Sequence, residues 1–456
     1  MGIRSFIGVS ASKASRSLIR KAGRGGTNKP GEIAMKFDPK LLRTLAKGVT
    51  VIIITGTNGK TTTSRMVETC LKEAGLSYFS NKSGANLLAG ITAEFAANST
   101  LSGKCKYEYA VIECDEAAFK TVSEYVDAKY VIVTNVFRDQ LDRYGEVTHT
   151  LNSIRIGLQN SKNAVVCLNA DDSLSASLAD DIDDKVLFYG VDTEIYKNRV
   201  KEVSDAPYCI KCKTEYKYKY MTYGHLGGFY CPKCGYHRQD PDVSVTEILS
   251  TDDEKSVVKM RVGDVEETVT VNLPGGYNIY NAASAACLSK AMGFEPQAAV
   301  KALSEFECGF GRMEKFTVGG TDMRMILIKN PAGCNQVLNF VSNIKEEAIF
   351  VVALNDNDAD GTDISWIWDV DFEKLTGAVD KIVEVWMTGI RAEEMAMRFK
   401  YAGFPMDRVK IIFDYEELIK QMISQNRPVY IMPTYTAMLD LREKFSKNFG
   451  IKEFWE

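Results

Sequence analysis

The run Gly56-Thr57-Asn58-Gly59-Lys60-Thr61-Thr62 has the residue types and spacing of a phosphate-binding loop. Glycine at 56 and 59 lets the main chain approach phosphate oxygens, and the N–H groups that open the following helix point at the anion. In such a loop Lys60 reaches the β- and γ-phosphates of ATP, and the Thr61 hydroxyl ligates Mg²⁺. Ile54 stands where the usual loop carries its first glycine or alanine, so the spacing is a variant of that pattern. A second group for the same cation is Glu113, at the end of the apolar run Tyr109-Ala-Val-Ile. A carboxylate at a strand tip beside a phosphate loop is placed to hold Mg²⁺.

A separate device lies in the middle of the chain. Cys209-Ile-Lys-Cys212 is followed, after eighteen residues, by Cys231-Pro-Lys-Cys234-Gly235. Two such turns aim four thiolates at one point, the spacing of a closed tetrahedral zinc ribbon. Four protein ligands leave no open position, so this zinc is expected to be structural rather than catalytic. His225 and His237 lie within and beside the ribbon, but the cysteines already fill the shell.

The elements that must position these groups read as alternating strands and helices. Val49 to Ile54 is a strand entering the loop, and the apolar spacing of Met66, Val67, Cys70 and Leu71 is a helix leaving it. Further strands are expected at Tyr130–Thr134, Ala164–Leu168, Ala348–Leu354, Ile382–Trp386, Val409–Ile412 and Pro428–Met432. This alternation implies an α/β fold with parallel sheets and the site along a carboxyl edge. At 456 residues the chain exceeds one hydrophobic core. The division expected is a basic segment 1–45, an ATPase domain 46–318 with the four-cysteine zinc ribbon inserted at 205–240, and a Rossmann-like domain 319–456 hinged at Gly319-Gly320.

Composition narrows the class. A net charge of −4 gives no support for a global nucleic-acid-binding surface. No apolar span long enough to cross a membrane is found, and no signal peptide. The first 31 residues carry seven Lys or Arg and no acid. They suit either a basic helix resting on anionic lipid or one packed on its own domain.

Five segments together resemble the Mur ligase family, the ATP-dependent ligases of peptidoglycan synthesis. They are the loop at 56–62, Thr134-Asn135 with Asp139-Gln140-Leu141-Asp142, and Leu168-Asn-Ala-Asp-Asp172. Gly276-Tyr277-Asn278-Ile-Tyr-Asn281 and Gly309-Phe-Gly311-Arg312-Met-Glu314 follow in the family's order. The resemblance implies that Asn278 and Asn281 contact adenine and that Arg312 reaches the nucleotide phosphates. Three departures stand out. Only about 50 residues precede the loop here, so substrate recognition through a UDP-binding domain like that of typical members is not expected. Gln140 replaces a family histidine, and no lysine lies near Ser153-Ile-Arg155 where several members carry a carbamylated one. Apart from these three, Lys329-Asn330-Pro331 occupies the place of the family's His-Asn-Pro, which the resemblance puts near the nucleotide.

The four-cysteine insertion and the acidic stretch Asn355-Asp356-Asn357-Asp358-Ala-Asp360-Gly361 point within this family to its amidating branch. There the expected reaction is ATP-dependent amidation of the D-glutamate α-carboxylate of the lipid II stem peptide, through an acyl phosphate attacked by ammonia. Lys60, Mg²⁺ and Arg312 would neutralise the developing charge. A glutaminase needs a basic partner for its cysteine, and the histidines are His149, His225 and His237, none in a nucleophile motif. Ammonia is therefore expected from a partner class I glutamine amidotransferase in a heterodimer at the cytoplasmic face of the membrane. Asp356, with Asp360 next, is expected to face the cleft or complete the partner's Cys–His pair. Trp366 and Trp368 read as core or interface. The competing readings are a stand-alone Mur or folylpolyglutamate-type ligase, and a nucleotide-binding zinc-ribbon regulator.

Overall fold

The computed structural model describes residues 2–21, 27–81, 85–139, 147–182, 185–195, 204–252, 254–306, 312–342, 344 and 346–450. The strands among them, in chain order, are β1 (Thr50–Thr55), β2 (Tyr78–Ser80), β3 (Tyr109–Glu113), β4 (Ala128–Val133), β5 (Val165–Asn169) and β6 (Val186–Val191). They continue as β7 (Lys217–Met221), β8 (Gly227–Tyr230), β9 (Val243–Thr251), β10 (Ser256–Val262) and β11 (Val265–Val271). Last come β12 (Arg312–Val318), β13 (Thr321–Ile326), β14 (Ala348–Ala353), β15 (Ile382–Thr388), β16 (Val409–Ile411) and β17 (Val429–Pro433).

The first sheet has the order β11-β10-β9-β6-β5-β4-β1-β3-β2. It is parallel from β2 to β9, and β10 and β11 extend that edge antiparallel. Apolar residues on both faces of β1 explain why the sheet is covered on both sides. Ile52 and Ile54 pack with Met66, Val67, Ile279 and Ala282, whereas Val51 and Ile53 pack with Leu41, Phe95, Leu151 and Ile154. The helix Gly276–Ala291 is buried along most of its length, and its alanines at 282, 283, 285 and 286 let it lie close against the sheet.

The chain leaves β1, returns through β2 to β3 on one side of it, and then places β4 on the other. That reversal of strand order opens a crevice at the carboxyl ends, the usual ligand position in such sheets. Thr55, Glu113 and Thr134 all emerge there.

The basic N-terminal segment is part of this first body rather than a separate unit. Helix Ile3–Lys21 seats Ser5, Gly8, Val9 and Ser12 inward, and Val9, Ala34, Leu41 and Leu45 share the core with Val51. A side chain at Gly8 would sit 3.2 Å from Ala34 O. Arg16 clasps Glu94 with two hydrogen bonds of 2.8 and 3.1 Å. Of the two readings of this segment, the one packed on its own domain is what the structure contains. Its outer face nonetheless leaves Ile3, Phe6, Ile7 and Leu18 exposed.

The second sheet, β12-β13-β17-β14-β15-β16, is parallel except for the β12–β13 hairpin. Here the expected hinge is corrected. Gly319 and Gly320, with φ of 60° and 85°, form the two-residue turn between Val318 and Thr321. Positive φ at both central positions suits a tight hairpin of the kind that glycine pairs favour. Strand β12, which precedes the boundary expected at 319, is thus already part of the second sheet. No helix among the described residues is long and apolar enough to cross a membrane.

Candidate functional site

The phosphate loop is gripped by the segment that follows β4. Thr57 N donates to Asn135 O (2.9 Å), Asn58 N donates to Asn135 Oδ1 (3.0 Å), and Phe137 N donates to Thr57 Oγ1 (3.0 Å). Gly56 and Gly59 have φ of 117° and 86°, and a Cβ at either would collide with Thr134 Oγ1 or Asn281 Oδ1. Helix Lys60–Glu73 starts directly after the loop, so its first N–H groups have no carbonyl inside the helix to bond. They form the anion-binding rim.

Lys60 is buried and folded back over the loop. Its Nζ donates to Gly56 O (2.5 Å), Thr57 O (3.1 Å) and Glu116 Oε2 (2.8 Å). Burial alone would lower its pKa, but Glu116, Asp115 and Glu113 outweigh that and raise it, so the ammonium stays charged. Glu116 was not among the residues singled out from sequence. The signal present was a run of acids, Glu113, Asp115 and Glu116, at one strand tip. Asp115 spends its carboxylate as the cap of helix Glu116–Val122, accepting from Ala117 N and Ala118 N.

Thr61 and Glu113, expected to share Mg²⁺, are brought together: Thr61 Oγ1 donates to Glu113 Oε2 at 2.8 Å. Asn81 holds the end of β3 by donating to Glu113 O (2.7 Å) and accepting from Glu113 N (2.8 Å). A hydroxyl and a carboxylate this close, beside Lys60, are a donor set that fits a hard cation bound mainly through oxygen.

The C-terminal body reaches this loop through Lys329 and Asn330. Asn330 accepts from Gly333 N (2.8 Å) to cap helix Pro331–Val341, and its Nδ2 donates to Asn58 Oδ1 (3.0 Å) and Asp139 Oδ1 (3.2 Å). Lys329 Nζ pairs with Asp139 Oδ2 at 2.8 Å. Burial opposes ionisation of Asp139, yet Lys329 and Asn330 hold its carboxyl below the usual range. Arg138 adds a second link, 2.9 Å to Asp369. We expect Asn330→Ala to lower stability by about 2 kcal/mol, from the lost cap and the lost hydrogen bond to Asp139 Oδ1, read as a shift in denaturant midpoint at unchanged slope. Asn330→Asp keeps the cap but sets a second carboxylate beside Asp139, and should not restore it.

Between the bodies lies an open cleft with about 810 Å³ of empty space. Its lining includes Gly59 and Thr62, Asn278 and Asn281, and the apolar Leu273, Tyr277, Ile326 and Val337. The two asparagines assigned to adenine are linked, Asn281 Nδ2 donating to Asn278 Oδ1 at 3.0 Å. Gln336 also lines the cleft and was not anticipated.

The acidic stretch after β14 separates into different jobs. Asn355 ties strand tips together, donating to Thr436 Oγ1 (3.0 Å) and accepting from Ile390 N (2.9 Å). Asp360 is buried and engages Thr436 with both oxygens, one of them accepting Thr436 N at 2.7 Å, at the start of helix Tyr435–Phe449. Its carboxylate is occupied holding that helix. Asp356 remains partly exposed and is paired with Arg391, at 2.6 Å from Nη2 and 2.7 Å from Nε. Trp366 is core, whereas Trp368 is half exposed against Tyr401 and Arg398.

The Cys insertion sits between β6 and β9 and contributes the β7–β8 hairpin. Cys209 and Cys234 sulfurs lie 3.6 Å apart, those of Cys212 and Cys231 3.4 Å, and all four within 4.8 Å. A tetrahedral zinc with Zn–S near 2.3 Å requires an edge of about 3.8 Å, so the four thiols fit such an ion. The insertion is fastened to the sheet by Arg238, which donates to Asp171 Oδ1 and Asp192 Oδ1, and by His225, which faces Asp172 Oδ1 at 3.1 Å. The Leu-Asn-Ala-Asp-Asp segment is thus an anchor for it. Arg155 lies on helix Val147–Asn160 and pairs with Asp181 at 2.7 Å.

Gln140, Leu141, Asp142, Gly309 and Gly311 lie outside the described residues. So does the side chain of Arg312, whose backbone pairs with Ile326 in β12–β13. Its neighbour in the motif, Glu314, forms an ion pair with Arg442.

A phosphate loop on one α/β body, with a second body closing the nucleotide cleft over it, is the architecture of the Mur ligases, which use ATP and Mg²⁺. Comparison with known proteins agrees and goes further. The sequence model of the Mur ligase middle domain matches residues 54–227, and that of the MurT ligase C-terminal domain matches residues 327–438. Over 446 residues the chain is 34% identical to the lipid II isoglutaminyl synthase (glutamine-hydrolyzing) subunit MurT of Streptococcus pneumoniae, covering 97% of each. It is 33% identical over 448 residues to that of Staphylococcus aureus, covering 98% of this chain and 99% of the other. In fold it is similar to a pseudomurein peptide ligase type C from Methanothermus fervidus, with a TM-score of 0.67 at 21% identity over 93% of this chain and 85% of that one. The chain belongs to the MurT family of Mur ligase-like subunits.

Proposed function

We propose that this chain is the synthetase subunit of a glutamine-hydrolysing lipid II isoglutaminyl synthase. It converts the D-glutamate α-carboxylate of the stem peptide to D-isoglutamine with ATP and ammonia. The observation that carries the ATP half is the 2.8 Å approach of Thr61 to Glu113 at the head of the phosphate loop, beside the charged Lys60. The relatives at 33–34% identity, named for that reaction, carry the amidation half.

Phosphoryl transfer to a carboxylate demands alignment and charge neutralisation more than a protein nucleophile. On this reading Lys60 releases Glu116 and turns to the β- and γ-phosphates, while the loop N–H groups cradle them. Mg²⁺ between Thr61 and Glu113 would supply positive charge against the transferring phosphoryl group. Arg312 adds a further cation, and Asn278 and Asn281 hold the adenine. The docked C-terminal body excludes water from the acyl phosphate until ammonia attacks.

Ammonia comes from a partner glutaminase of the class I, GatD-like type. His225 is buried against Asp172, His237 Nδ1 contacts Gly235 O at 2.7 Å, and His149 is exposed on a helix. Asp356, held by Arg391 at the rim of the second sheet, is offered to that partner or to the cleft. Asp360 supports it by fixing helix Tyr435–Phe449. The enzyme works at the cytoplasmic face of the membrane, where ATP and the lipid-borne substrate meet. The exposed Ile3, Phe6 and Ile7 beside Arg4 suit contact with anionic lipid.

Cys209, Cys212, Cys231 and Cys234 hold a structural zinc. We expect about one zinc per chain by metal analysis, and none in the Cys231→Ser/Cys234→Ser variant. That variant should also expose the 205–240 segment to protease. Full zinc retention in it would contradict the assignment. The proposal as a whole is tested by following ADP release with lipid II and ammonium. One ADP should form per amide, with no turnover when an amino acid replaces ammonium. Efficient ligation of an amino acid would favour a stand-alone ligase instead.

A further inference from the structure

We infer that Gln336 reads the hydrogen-bonding edge of the adenine, setting nucleotide specificity from the C-terminal body. The inference rests on the cleft being the ATP site. Gln336 is 2% exposed, yet neither its Nε2 nor its Oε1 has a hydrogen-bond partner among the described residues. Leaving both ends of a buried amide unmade is costly, and a fold that keeps such a group is holding it for something else. The side chain lines the same cleft as Gly59 and Thr62, so what enters beside it is the molecule whose phosphates occupy the loop.

Its placement is rigid. Asn330 caps the helix and bonds Asn58 of the loop, which fixes the helix against the phosphate site. From that anchor Ala332, Gly333, Gln336 and Val337 present one face to the cleft, while Cys334, Leu338 and Val341 pack into the C-terminal core. The surroundings suit a purine: Tyr277, Leu273 and Ile326 offer apolar contact to its faces, and the amide is left for its edge. A glutamine amide presents a donor and an acceptor side by side, the complement of an exocyclic amine next to a ring nitrogen in adenine. Asn278 and Asn281, bonded to each other, line the same cleft.

The test compares ATP with purine riboside triphosphate, which lacks the exocyclic amine, in wild-type chain and Gln336→Leu. Wild type should bind ATP roughly tenfold more tightly than the analogue. Gln336→Leu should lose about that factor for ATP and bind the two nucleotides alike, with kcat at saturating ATP little changed. Its nucleotide-free melting temperature should be equal or higher, because a buried unpaired amide has been replaced by an apolar group. A Gln336→Leu chain that still prefers ATP over the analogue, or binds ATP as wild type does, overturns the inference while leaving the ATP site intact. Wild type that fails to bind ATP at all removes both.

Discussion

Lys60→Ala is expected to lower the rate of amide formation on the order of 10³-fold, about 4 kcal/mol of barrier. Lys60 is the loop's own cation, kept charged by Glu116, Asp115 and Glu113, whereas Lys329, which the C-terminal body brings to the cleft, is engaged by Asp139. The substitution also has a structural consequence that must be separated from chemistry. Glu116 is 1% exposed and Lys60 is its ion-pair partner at 2.8 Å. Removing one member of such a pair strands a buried acid and typically destabilises by about 3–5 kcal/mol unless the acid takes up a proton. The Lys60→Met/Glu116→Gln double variant avoids that stranded charge. It should melt above Lys60→Ala and be equally inactive. Recovery of activity in the double variant would show that the single substitution acted through folding alone.

Glu113→Gln is expected to reduce kcat by roughly 10²–10³-fold and to raise the Mg²⁺ concentration needed for half-maximal rate. The amide is close in shape to the carboxylate, and Asn81 grips the backbone of Glu113 rather than its side chain, so the strand end should stay in place. Thr61 can still bond the new side chain. What is lost is the negative charge that draws a divalent cation to the loop. A Mg²⁺ titration of ADP release distinguishes the outcomes. An unchanged Mg²⁺ requirement would mean that the cation is held elsewhere, and the Thr61–Glu113 contact would then be no more than a helix-end hydrogen bond.

Much of this site was visible in one dimension because its parts are local in the chain. The loop glycines, Lys60 and Thr61 fall within seven residues, and each Cys pair within four. The buried strands announced themselves as apolar runs, since a parallel sheet covered on both faces leaves no alternation to blur them. Gly319-Gly320 was ambiguous for a physical reason. A glycine pair supplies positive φ equally to a hinge and to a tight turn, and only the antiparallel pairing of β12 with β13 decides between them. Glu116 was hidden by its neighbours, because three acids at one strand tip do not say which one turns inward. Gln336 sits in an apolar helical run, and its partnerless amide is a property of the folded cleft alone. Asp360 shows the converse: aspartates dense in sequence suggested chemistry, whereas the fold uses this one to hold Thr436.

On the proposed function the chain phosphorylates a carboxyl group so that nitrogen brought from elsewhere displaces the phosphate. Lipid II carrying ¹⁸O in both oxygens of the D-glutamate α-carboxylate tests it most directly, with ATP, Mg²⁺ and ammonium supplied to the chain and its glutaminase partner. An acyl phosphate passes one labelled oxygen to phosphate for every amide made, so the released inorganic phosphate should carry a single ¹⁸O. Unlabelled phosphate formed alongside the amide would contradict the account.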